Sequence, residues 1–552
     1  MKKFIIVVGG VISGVGKGVI SASIGKIIKE YGFSTTIIKI DPYINYDAGT
    51  LRPTEHGEVW VTEDGGEIDQ DLGTYERFLD QDISKKNNIT TGQIYKDVID
   101  KERLGHYLGE TVQFIPHIPN EIIRRIKLAA QDYEVVIIEV GGTVGDYENV
   151  PFLFALKALE HEVGSDSICY ALVSYLPIPN HIAEMKTKPT QQAIKLLRQE
   201  GIFPDFIMCR GEKPIDNVRK KKIESYLHIN SDYIISVPDV ETIYQLPIDL
   251  EKELVGRKLL NRLSLEPKKL PDWSRWQEQV DILKKPDENV RIAIVGKYLN
   301  TGDFSLTDSY VSIYQALLHA GVSQKVGITI VWIDATKYEA DESALKELNT
   351  FGGIIIPGGF GKSGTEGKIK VIEYARKNKI PCLGLCYGLQ LAVVECARNL
   401  CDISNAHSTE VDPTTKDPVV TVLPAQKTAL KEKCYGGTMR LGGYKASLKL
   451  GSRAYEMYNK YGKTIDIDKR SIVERHRHRY EVNPKYISSL EKAGLIISGY
   501  HERLDGTFLV EFAEYKDHPF FVTTQAHPEF KSRMSSPSPL FVGFVAACKN
   551  SS

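Results

Sequence analysis

Gly9–Ser23, with the sequence GGVISGVGKGVISAS, lies directly behind the apolar run Phe4–Val8. A β-branched run followed by glycines, one lysine and small residues predicts a strand, a tight loop and the start of a helix. In such a loop the backbone N–H groups point into one hollow, to which the helix N-terminus adds partial positive charge and Lys17 a full one. The stretch therefore predicts a cradle for a polyphosphate.

The loop departs from the common phosphate loop, in which a glycine and four further residues precede Gly-Lys-Ser/Thr. Gly16 and Lys17 are in place, but Gly10 lies one position early and Gly18 replaces the hydroxyl residue. Because glycine has no side chain to hold Mg²⁺, we expect acids from elsewhere in the chain to hold the metal. The alternative is a glycine-rich turn with a solvated lysine.

Length and composition narrow the class of protein. A chain of 552 residues predicts two or more domains. A net charge of −1 gives no reason to expect nucleic acid or an anionic membrane as partner. Eight cysteines without paired metal spacing indicate a reducing compartment. Because no stretch approaches the roughly 20 apolar residues that span a bilayer, we expect a cytoplasmic protein.

Short apolar runs alternate with helical patterns through the first half of the chain. The predicted strands are Phe4–Val8, Thr35–Ile40, Val135–Val140, Ser167–Val173 and Asp205–Cys209. This alternation is typical of a parallel sheet with helices on its faces. Because such sheets bind ligands at the carboxyl ends of their strands, polar residues just past those ends are candidate site residues.

Acidic residues follow two of these strands. Asp69 and Asp71 are two residues apart, so an extended segment would present both on one side. Glu139 ends an apolar strand and runs into GGTVGD. A carboxylate at a strand tip beside a phosphate cradle is the usual place for nucleotide-bound Mg²⁺. Asp71 and Glu139 are therefore predicted metal ligands, with a solvated turn acid and a surface charge as the respective alternatives.

The second half begins after a change of composition. Between residues 267 and 289, prolines and charges flank a short helical piece, which is typical of an interdomain linker. The strands predicted after it are Val290–Val295, Gly327–Ile333, Gly353–Ile356 and Pro381–Leu385. The sequence thus predicts an α/β protein with two doubly wound, mostly parallel sheets, one in residues 1–266 and one in residues 290–548.

The stretch PCLGLCYGLQ, residues 381–390, has the form of a nucleophile elbow in which an apolar strand turns sharply at Cys386 into a helix. The helix N-terminus favours the thiolate form of Cys386. His527 and Glu529 are two residues apart, so an extended backbone would let Glu529 orient the imidazole. Taken singly, a cysteine is more often a small buried hydrophobe, as expected for Cys382, and a lone histidine is more often structural.

The elbow, the glycine turn IIIPGGFG at 354–361 and the His-Pro-Glu motif together resemble class I glutamine amidotransferases. The resemblance implies that Cys386 attacks the side-chain amide of glutamine, that His527 serves as base and acid, and that Glu529 completes the triad. It also implies an oxyanion site and a glutamine pocket at Gly359, Tyr387, Gly388, Leu389, Gln390, Glu410 and Arg479. Without the resemblance, RHRHRY at 475–480 is typical of a solvated basic strand.

The whole chain resembles the CTP synthase family. The motifs GGVISGVGKG, KIDPYIN, EHGEV, DGGEIDQDLG, YERF, EVGGTVGDYE and KTKPTQ occur in that order. The resemblance implies that residues 1–266 form an amidoligase (synthetase) domain binding ATP and UTP, that 267–289 are a linker, and that 290–548 form the amidotransferase domain. It also assigns Asp71 and Glu139 as Mg²⁺ ligands.

The resemblance further implies two nucleotide-binding sets. The set for ATP is Ser13, Gly14, Val15, Gly16, Lys17, Gly18, Lys39 and Asp71. The set for UTP and CTP is Ser13, Asp146, Tyr147, Glu148, Lys186, Thr187, Lys188, Pro189, Thr190, Gln191 and Lys222. For Lys222 the alternative is a solvated helix face, because runs of charged residues such as Arg219–Lys222 usually lie on the solvent-exposed face of a helix.

The reaction that the resemblance implies joins the two halves. ATP phosphorylates O4 of UTP, and ammonia from glutamine displaces the phosphate to give CTP. The resemblance also implies GTP as an allosteric activator, with GGTMRLG at 436–442 resembling the segment involved. CTP would be a feedback inhibitor and the chain a homotetramer, with filament formation left open.

Two alternatives compete with this interpretation. One is another glutamine-dependent ATP amidoligase that acts on a carboxylate, as in cobyric acid synthesis. KTKPTQ and Lys222 argue against it, because a carboxylate acceptor needs no second triphosphate site. The other is a nucleotide switch of the partition-ATPase kind, but Gly9–Ile12 lacks the second lysine of that loop and an intact triad has no place in a switch.

Overall fold

The computed structural model describes residues 2–52, 57–181, 184–297, 300–301, 304–305, 307–422, 439–466, 468, 470–503 and 505–551. It divides into two compact units, one formed by Met1–Thr50 with Ile68–Lys284 and the other by Leu51–Glu67 with Lys285–Ser552. Leu51–Glu67 therefore lies in the first half of the sequence but belongs to the second unit. The predicted boundaries at 266 and 290 rest on composition and stay a prediction.

The first unit contains strands and helices that alternate along the chain. Its strands are β1 Lys3–Gly10, β2 Thr35–Asp41, β4 Glu67–Ile68 at the boundary, β5 Asn88–Thr90, β6 Val135–Val140, β7 Ile168–Tyr175, β8 Phe206–Gly211 and β9 Ile234–Pro238, with β3 Trp60–Val61 in the second unit. Its helices are α1 Lys17–Glu30, α2 Asp71–Leu79, α3 Thr91–Arg103, α4 Phe114–Ala129, α5 Val150–Val163, α6 Lys188–Gln199, α7 Asn217–Leu227, α8 Leu246–Lys252, α9 Val255–Arg262 and α10 Ser274–Lys284.

Seven of these described strands form one sheet in the order β5-β2-β6-β1-β7-β8-β9, and every pair in it is parallel. β1, β2 and β6 are buried along their whole length. Their nearly continuous apolar runs follow from helices covering both faces of the sheet. Because parallel strands end at one edge, this order brings the ends of β1, β2 and β6 together.

The second unit has its own series of elements. Its further strands are β10 Asn289–Gly296, β11 Asn300–Thr301, β12 Phe304–Ser305, β13 Gly327–Asp334, β14 Gly353–Ile356, β15 Cys382–Leu385, β16 Ala406–Ser408, β17 Asp417–Val422, β18 Arg440–Leu448, β19 Ser471–His478, β20 Tyr480–Val482, β21 Leu495–Glu502, β22 Phe508–Tyr515 and β23 Phe521–Thr524. Its helices are α11 Val311–Gln324, α12 Thr336–Ala340, α13 Thr365–Lys377, α14 Tyr387–Asn399, α15 Arg453–Lys460, α16 Ile487–Lys492 and α17 Pro539–Ser551.

The main sheet of this unit has two parts in its described strands. β13-β10-β14-β15-β23 are parallel, as the sequence predicts, and β22-β21-β18-β19 continue the sheet with antiparallel pairs. In this antiparallel part, the sequence predicted a strand only at 475–480, most of which lies in β19. Helices cover both faces of the parallel part, with α14 and α17 packed on opposite faces. None of the helices in the described chain combines the length and the apolar character that a bilayer crossing needs.

Candidate active sites

The predicted phosphate cradle lies between β1 and α1 in the first unit. Gly16 precedes α1 with φ 89°, in the left-handed region that favours glycine. Lys17 is buried, and its Nζ donates a hydrogen bond to the carbonyl oxygen of Gly142 at 2.7 Å. A Cβ on Gly9 would lie 2.7 Å from that Nζ, so the glycine leaves the room that the lysine side chain occupies. Burial lowers the pKa of Lys17. The predicted strand, loop and helix are confirmed.

Four carboxylates surround the ammonium of Lys39 at the carboxyl edge of the sheet. Lys39 Nζ pairs closely with Asp71 and lies 3.2 Å from Glu139, 3.8 Å from Asp41 and 3.9 Å from Asp69. Burial, with a further contribution from neighbouring acids, raises the pKa of Asp69 to about 8. Burial also raises the pKa of Glu139. Burial alone would lower the pKa of Lys39, but the acids outweigh it and raise that pKa well above its usual value.

The absence of a hydroxyl side chain at position 18 leaves room for the carboxylate of Asp71. A Cβ on Gly18 would lie 2.4 Å from Asp71 Oδ1, so the carboxylate occupies the space of a serine or threonine side chain. Hard carboxylate oxygens are the ligands that Mg²⁺ prefers. In this structure the carboxylate oxygens converge on the ammonium group of Lys39. Within the described residues no group of three or more His, Cys, Asp or Glu side chains forms a complete metal site. The residues fit a Mg²⁺ whose remaining ligands come from nucleotide phosphates and water.

The residues predicted for UTP and CTP lie on three elements of the first unit. Asp146 follows β6, and its carboxylate accepts hydrogen bonds from the backbone N–H and the hydroxyl of Thr143 at 2.8 and 2.6 Å. Tyr147 and Glu148, which come next, are exposed. KTKPTQ runs into the start of α6. This helix packs closely on the end of β1, as shown by the 2.4 Å that would separate a Cβ on Gly10 from Ala193 Cβ. Lys222 is exposed on α7.

Side chains in KTKPTQ already have partners. Lys186 Nζ lies 2.6 Å from Glu184, and Thr190 Oγ1 accepts a hydrogen bond from Ser174 at 2.9 Å. Sequence reasoning missed Arg210, whose Nε would lie 3.4 Å from a Cβ on Gly16 in the phosphate loop. Arg210 ends β8, and strand-end position is the signal that could have found it.

The predicted nucleophile elbow is present in the second unit. Cys386 lies between β15 and α14 with φ 50° and ψ −95°, a strained conformation for a residue with a side chain. Its N–H donates to the carbonyl oxygen of Thr524 at 2.7 Å. A Cβ on Gly388 would lie 2.4 Å from the carbonyl oxygen of Ile356, so only glycine allows α14 to pack this closely on β14.

His527 and Glu529 complete the arrangement around Cys386. His527 Nδ1 lies 2.7 Å from Glu529 Oε1, and the imidazole lies close enough to Cys386 for the sulfur to affect its pKa. Burial alone would lower the pKa of His527, but the charges of Glu529 and Cys386 outweigh it and raise that pKa to about 10. Gln525 Nε2 donates to Cys386 Sγ at 3.6 Å, a contact that sequence reasoning missed. The three residues form the geometry of a Cys-His-Glu triad.

The glycine turn after β14 lies beside this triad. A Cβ on Gly358 would lie 3.0 Å from His527 Cε1, so the turn passes directly over the imidazole. Gly359 belongs to the same turn, and the N–H of Tyr387 lies at the start of α14, where backbone N–H groups have no partner within the helix. The turn thus offers backbone N–H groups near the nucleophile.

The other residues predicted to bind glutamine differ in their surroundings. Glu410 accepts a hydrogen bond from the N–H of Gly361 at 2.9 Å, and burial raises its pKa while the nearby charge of Arg479 opposes the rise. Leu389 is buried in the core of the unit. The side chain of Gln390 donates to the carbonyl oxygen of Tyr480 at 3.1 Å. Glu410 and Arg479 therefore lie near each other, whereas Leu389 and Gln390 pack inward.

The strand that contains RHRHRY is not a solvated basic strand. Arg475 is fully buried and His476 is 1% exposed. Arg475 Nε lies 3.2 Å from Glu63, and Arg477 Nε lies 2.8 Å from Glu67. Leu51–Glu67 supplies both carboxylates, a long-range pairing that no local pattern in the sequence reveals.

The same segment, Leu51–Glu67, is connected to His527 through aromatic rings. Trp60 packs on Phe530 with ring centroids 5.0 Å apart, and Phe530 stacks on His527 at 5.1 Å. The guanidinium of Arg475 lies 5.5 Å from the Trp60 ring centroid. The backbone carbonyl oxygen of Arg475 accepts a hydrogen bond from the N–H of His527 at 2.8 Å. The segment EHGEV, of which Glu55 and His56 lie outside the described residues, thus leads into the surroundings of the triad. The first three residues of GGTMRLG, Gly436 to Thr438, lie outside them too.

Comparisons with known proteins match both halves of the chain. Residues 3–265 match the family described as CTP synthase N-terminus, and residues 305–547 match glutamine amidotransferase class-I. A CTP synthase from Pyrococcus furiosus is 51% identical over 549 residues, with 100% of this chain and 98% of the relative covered. One from Methanocaldococcus jannaschii is 48% identical over 550 residues, with 99% and 98% covered.

A solved structure of the Trypanosoma brucei CTPS glutaminase domain with bound acivicin is 35% identical to this chain. It covers 47% of this chain and 94% of its own length, with a TM-score of 0.43. The full-length relatives extend over both units, including the phosphate loop and the triad. This chain belongs to the CTP synthase family.

Proposed function

We propose that this chain makes CTP from UTP, ATP and glutamine, with the ligase chemistry in the first unit and glutamine hydrolysis in the second. The observation that carries the proposal is the arrangement of Cys386, His527 and Glu529, in which Glu529 is bonded to the imidazole beside Cys386, in a chain that also has a glycine-rich loop around Lys17. A glutaminase supplies ammonia, and a phosphate site supplies the activation that ammonia needs to displace an oxygen.

In the second unit, the Cys386 thiolate attacks the side-chain amide carbon of glutamine. The N–H groups of Gly359 and Tyr387 hold the oxyanion. The His527 imidazolium gives its proton to the leaving nitrogen, which departs as ammonia and leaves a thioester. His527 then takes a proton from water, which attacks the thioester, and glutamate leaves as the Cys386 thiol is regenerated.

The glutamine pocket is proposed on charge complementarity. Glu410 binds the α-ammonium group of the substrate and Arg479 binds its α-carboxylate. The two side chains are near enough for the charge of Arg479 to affect the pKa of Glu410, which suits a substrate that has both charges on one carbon. Gly388, Leu389 and Gln390 shape the pocket floor through the packing of α14 on β14.

In the first unit, Lys17 and the loop residues Ser13 to Gly18 hold the ATP phosphates. Asp71 and Glu139 would hold a Mg²⁺ ion, which neutralises phosphate charge when bound. Lys39, which is paired with Asp71 and Glu139, would supply positive charge to the reacting phosphates once those acids hold the metal. The γ-phosphoryl group passes from ATP to O4 of UTP, and ammonia then attacks C4 and releases phosphate.

The second nucleotide and the regulators are proposed on the motifs of the sequence. Lys186–Gln191 and Lys222 hold UTP, and Asp146, Tyr147 and Glu148 belong to the part of the site that CTP uses as a feedback inhibitor. GTP activates glutamine hydrolysis. A cytoplasmic location rests on the cysteine usage and stays a prediction.

A homotetramer is supported by an apolar surface on the first unit. Large apolar side chains at and after the end of α3 and at the start of α4 are exposed, namely Ile99, Leu104, Leu108, Phe114 and Ile115. Leu108 is 93% exposed. Several large apolar side chains exposed within one stretch of chain are typical of a subunit interface.

The proposal is tested by the absorbance change that accompanies conversion of UTP to CTP. We expect turnover with ATP, Mg²⁺ and glutamine, and also when ammonium chloride replaces glutamine. Turnover with ammonia alone is followed by addition of GTP, which should restore use of glutamine. No UTP conversion with either nitrogen source, together with carboxylate-dependent ATP hydrolysis, would contradict the proposal in favour of a carboxylate amidoligase.

A further inference from the structure

Two lysines hold the glycine turn Pro357–Gly361 at its two ends. Lys368 on α13 donates a hydrogen bond from Nζ to the carbonyl oxygen of Pro357 at 3.3 Å. Lys297, which follows β10, donates from Nζ to the carbonyl oxygen of Gly361 at 2.8 Å. The turn that offers Gly359 to the oxyanion is therefore fixed by side chains from two other elements.

Both ammonium groups also lie over the ring of Tyr387, the residue directly after the nucleophile. Lys297 Nζ lies 5.2 Å and Lys368 Nζ 5.6 Å from the ring centroid, within the range of cation–π attraction. The Tyr387 hydroxyl reaches the carbonyl oxygen of Gly361 at 3.3 Å. Lysines, ring and turn thus form one connected group beside the triad.

Lys368 differs from Lys297 in its burial. Its side chain is fully buried, and in the described part of the chain no carboxylate forms an ion pair with it. Burial, assisted by the charge of Lys297, lowers its pKa to about 7. A buried ammonium without an acidic partner costs stability, which an apolar side chain of the same length would not. In natural proteins, a buried side chain that costs stability in this way is typical of a functional site.

We propose that Lys368 is a positioning residue for glutamine hydrolysis, which fixes the oxyanion-binding turn through Pro357 and places a buried positive charge near the anion that Cys386 creates. The carbonyl of Pro357 and the N–H of Gly358 belong to one planar peptide. Holding that carbonyl prevents this peptide from rotating and limits rotation of the next one, which presents the N–H of Gly359. This inference rests on the proposed glutaminase function.

The test compares Lys368→Met with Lys370→Met. Lys370 is the matched control because it lies on the same helix and also donates to a backbone carbonyl, that of Tyr338, at 3.3 Å. We expect Lys368→Met to lower kcat for glutamine hydrolysis by about 10- to 100-fold, the usual effect of losing a group that orients a catalytic one. KM for glutamine and ammonia-dependent CTP synthesis should change by less than about threefold, and Lys370→Met should stay within about twofold of wild type in all three measurements.

Lys368→Gln separates the two parts of the effect, because glutamine keeps a hydrogen-bond donor for Pro357 and removes the charge. Recovery of kcat relative to Lys368→Met assigns the effect to the hydrogen bond, and no recovery assigns it to the charge. Either pattern supports the proposal, because in both kcat for glutamine hydrolysis has fallen.

Three results would overturn the inference. They are an unchanged kcat in Lys368→Met, a rise in KM without a fall in kcat, and failure of Lys368→Met to fold, since a methionine should be tolerated where the charge serves only the reaction. A wild-type chain that does not hydrolyse glutamine would instead contradict the proposed function itself.

Discussion

The two candidate sites of this molecule differ in how far they are assembled before any ligand arrives. In the second unit, Glu529 already orients His527 and the imidazole already contacts Cys386. In the first unit, Lys39 and its carboxylates bind one another instead of a substrate. In the second unit the protein's own contacts orient the candidate triad, whereas in the first unit Lys39 and the carboxylates neutralise one another.

The difference follows from the charges of the substrates. Glutamine has a neutral amide at the reacting end, so its site needs fixed positions more than it needs charge. Two triphosphates need many cations and a metal, and buried groups of that kind must pair with each other when the ligands are absent. A preorganised site and a ligand-completed site should therefore respond differently to mutation.

Cys386→Ala should give the largest separation of the two sites. We expect glutamine-dependent CTP synthesis to fall by at least about 10⁴-fold, because loss of the nucleophile removes covalent catalysis. Ammonia-dependent synthesis should persist. Both are measured by the absorbance change on conversion of UTP, with Cys382→Ala on the preceding strand as the control that keeps both activities. Retained glutamine-dependent turnover would contradict the assignment of the nucleophile.

Lys17→Ala should instead affect both activities. Because the lysine acts on ATP before ammonia arrives, we expect synthesis with glutamine and with ammonia to fall together, by about 100-fold or more. The control is Lys26→Ala on the same helix, where the lysine pairs with Glu30 at 2.7 Å and activity should remain within about twofold of wild type. Normal ammonia-dependent turnover in Lys17→Ala would remove the phosphate-cradle interpretation.

Gly18→Ser sharpens the description of the ligase site. Although it restores the hydroxyl residue of the common phosphate loop, its Cβ would lie 2.4 Å from Asp71 Oδ1. We expect overpacking of about 1–3 kcal/mol to displace the carboxylate and to lower ammonia-dependent synthesis by on the order of 10-fold. The Mg²⁺ concentration needed for half-maximal rate should rise. A variant with wild-type rate and Mg²⁺ dependence would show that Asp71 does not hold the metal.

The smallest expected effect is a pH-dependent change in stability. Since the pKa of His527 is raised to about 10, its stabilisation is complete below its unfolded value of about 6.5 and is lost as the pH rises toward 10. Glu529→Gln removes the charge that contributes most to raising this pKa. We therefore expect a thermal midpoint a few °C below wild type at pH 6.5, with the difference decreasing toward pH 10. Glu491→Gln, at an exposed residue of α16, is the control, and a difference that does not vary with pH would contradict the prediction.

Local sequence patterns predicted the parts of each site that depend on neighbouring residues. The phosphate loop and the elbow are strand–turn–helix units, so periodicity and glycine positions define them within about 15 residues of chain. The absence of a side chain at Gly18 predicted metal-binding acids from elsewhere in the chain, and Asp71 lies where a side chain at position 18 would be. Periodicity did not identify Lys39 as the centre of the carboxylates, because that arrangement depends on the order of β2 and β6 in the sheet.

The sequence by itself determined the α/β class, the phosphate cradle, the elbow and the family, because each rests on a short contiguous pattern or on motifs in a fixed order. Only the tertiary structure decided that Leu51–Glu67 packs in the second unit and that Arg475 is buried against Glu63 and Trp60. It also decided that Lys368 hydrogen-bonds to Pro357 in the glycine turn. The physical reason is that burial and charge pairing depend on which distant segments meet. From the local sequence alone, a lysine on an amphipathic helix and an arginine in a basic strand are predicted to be solvent-exposed, and distant segments of the chain bury both.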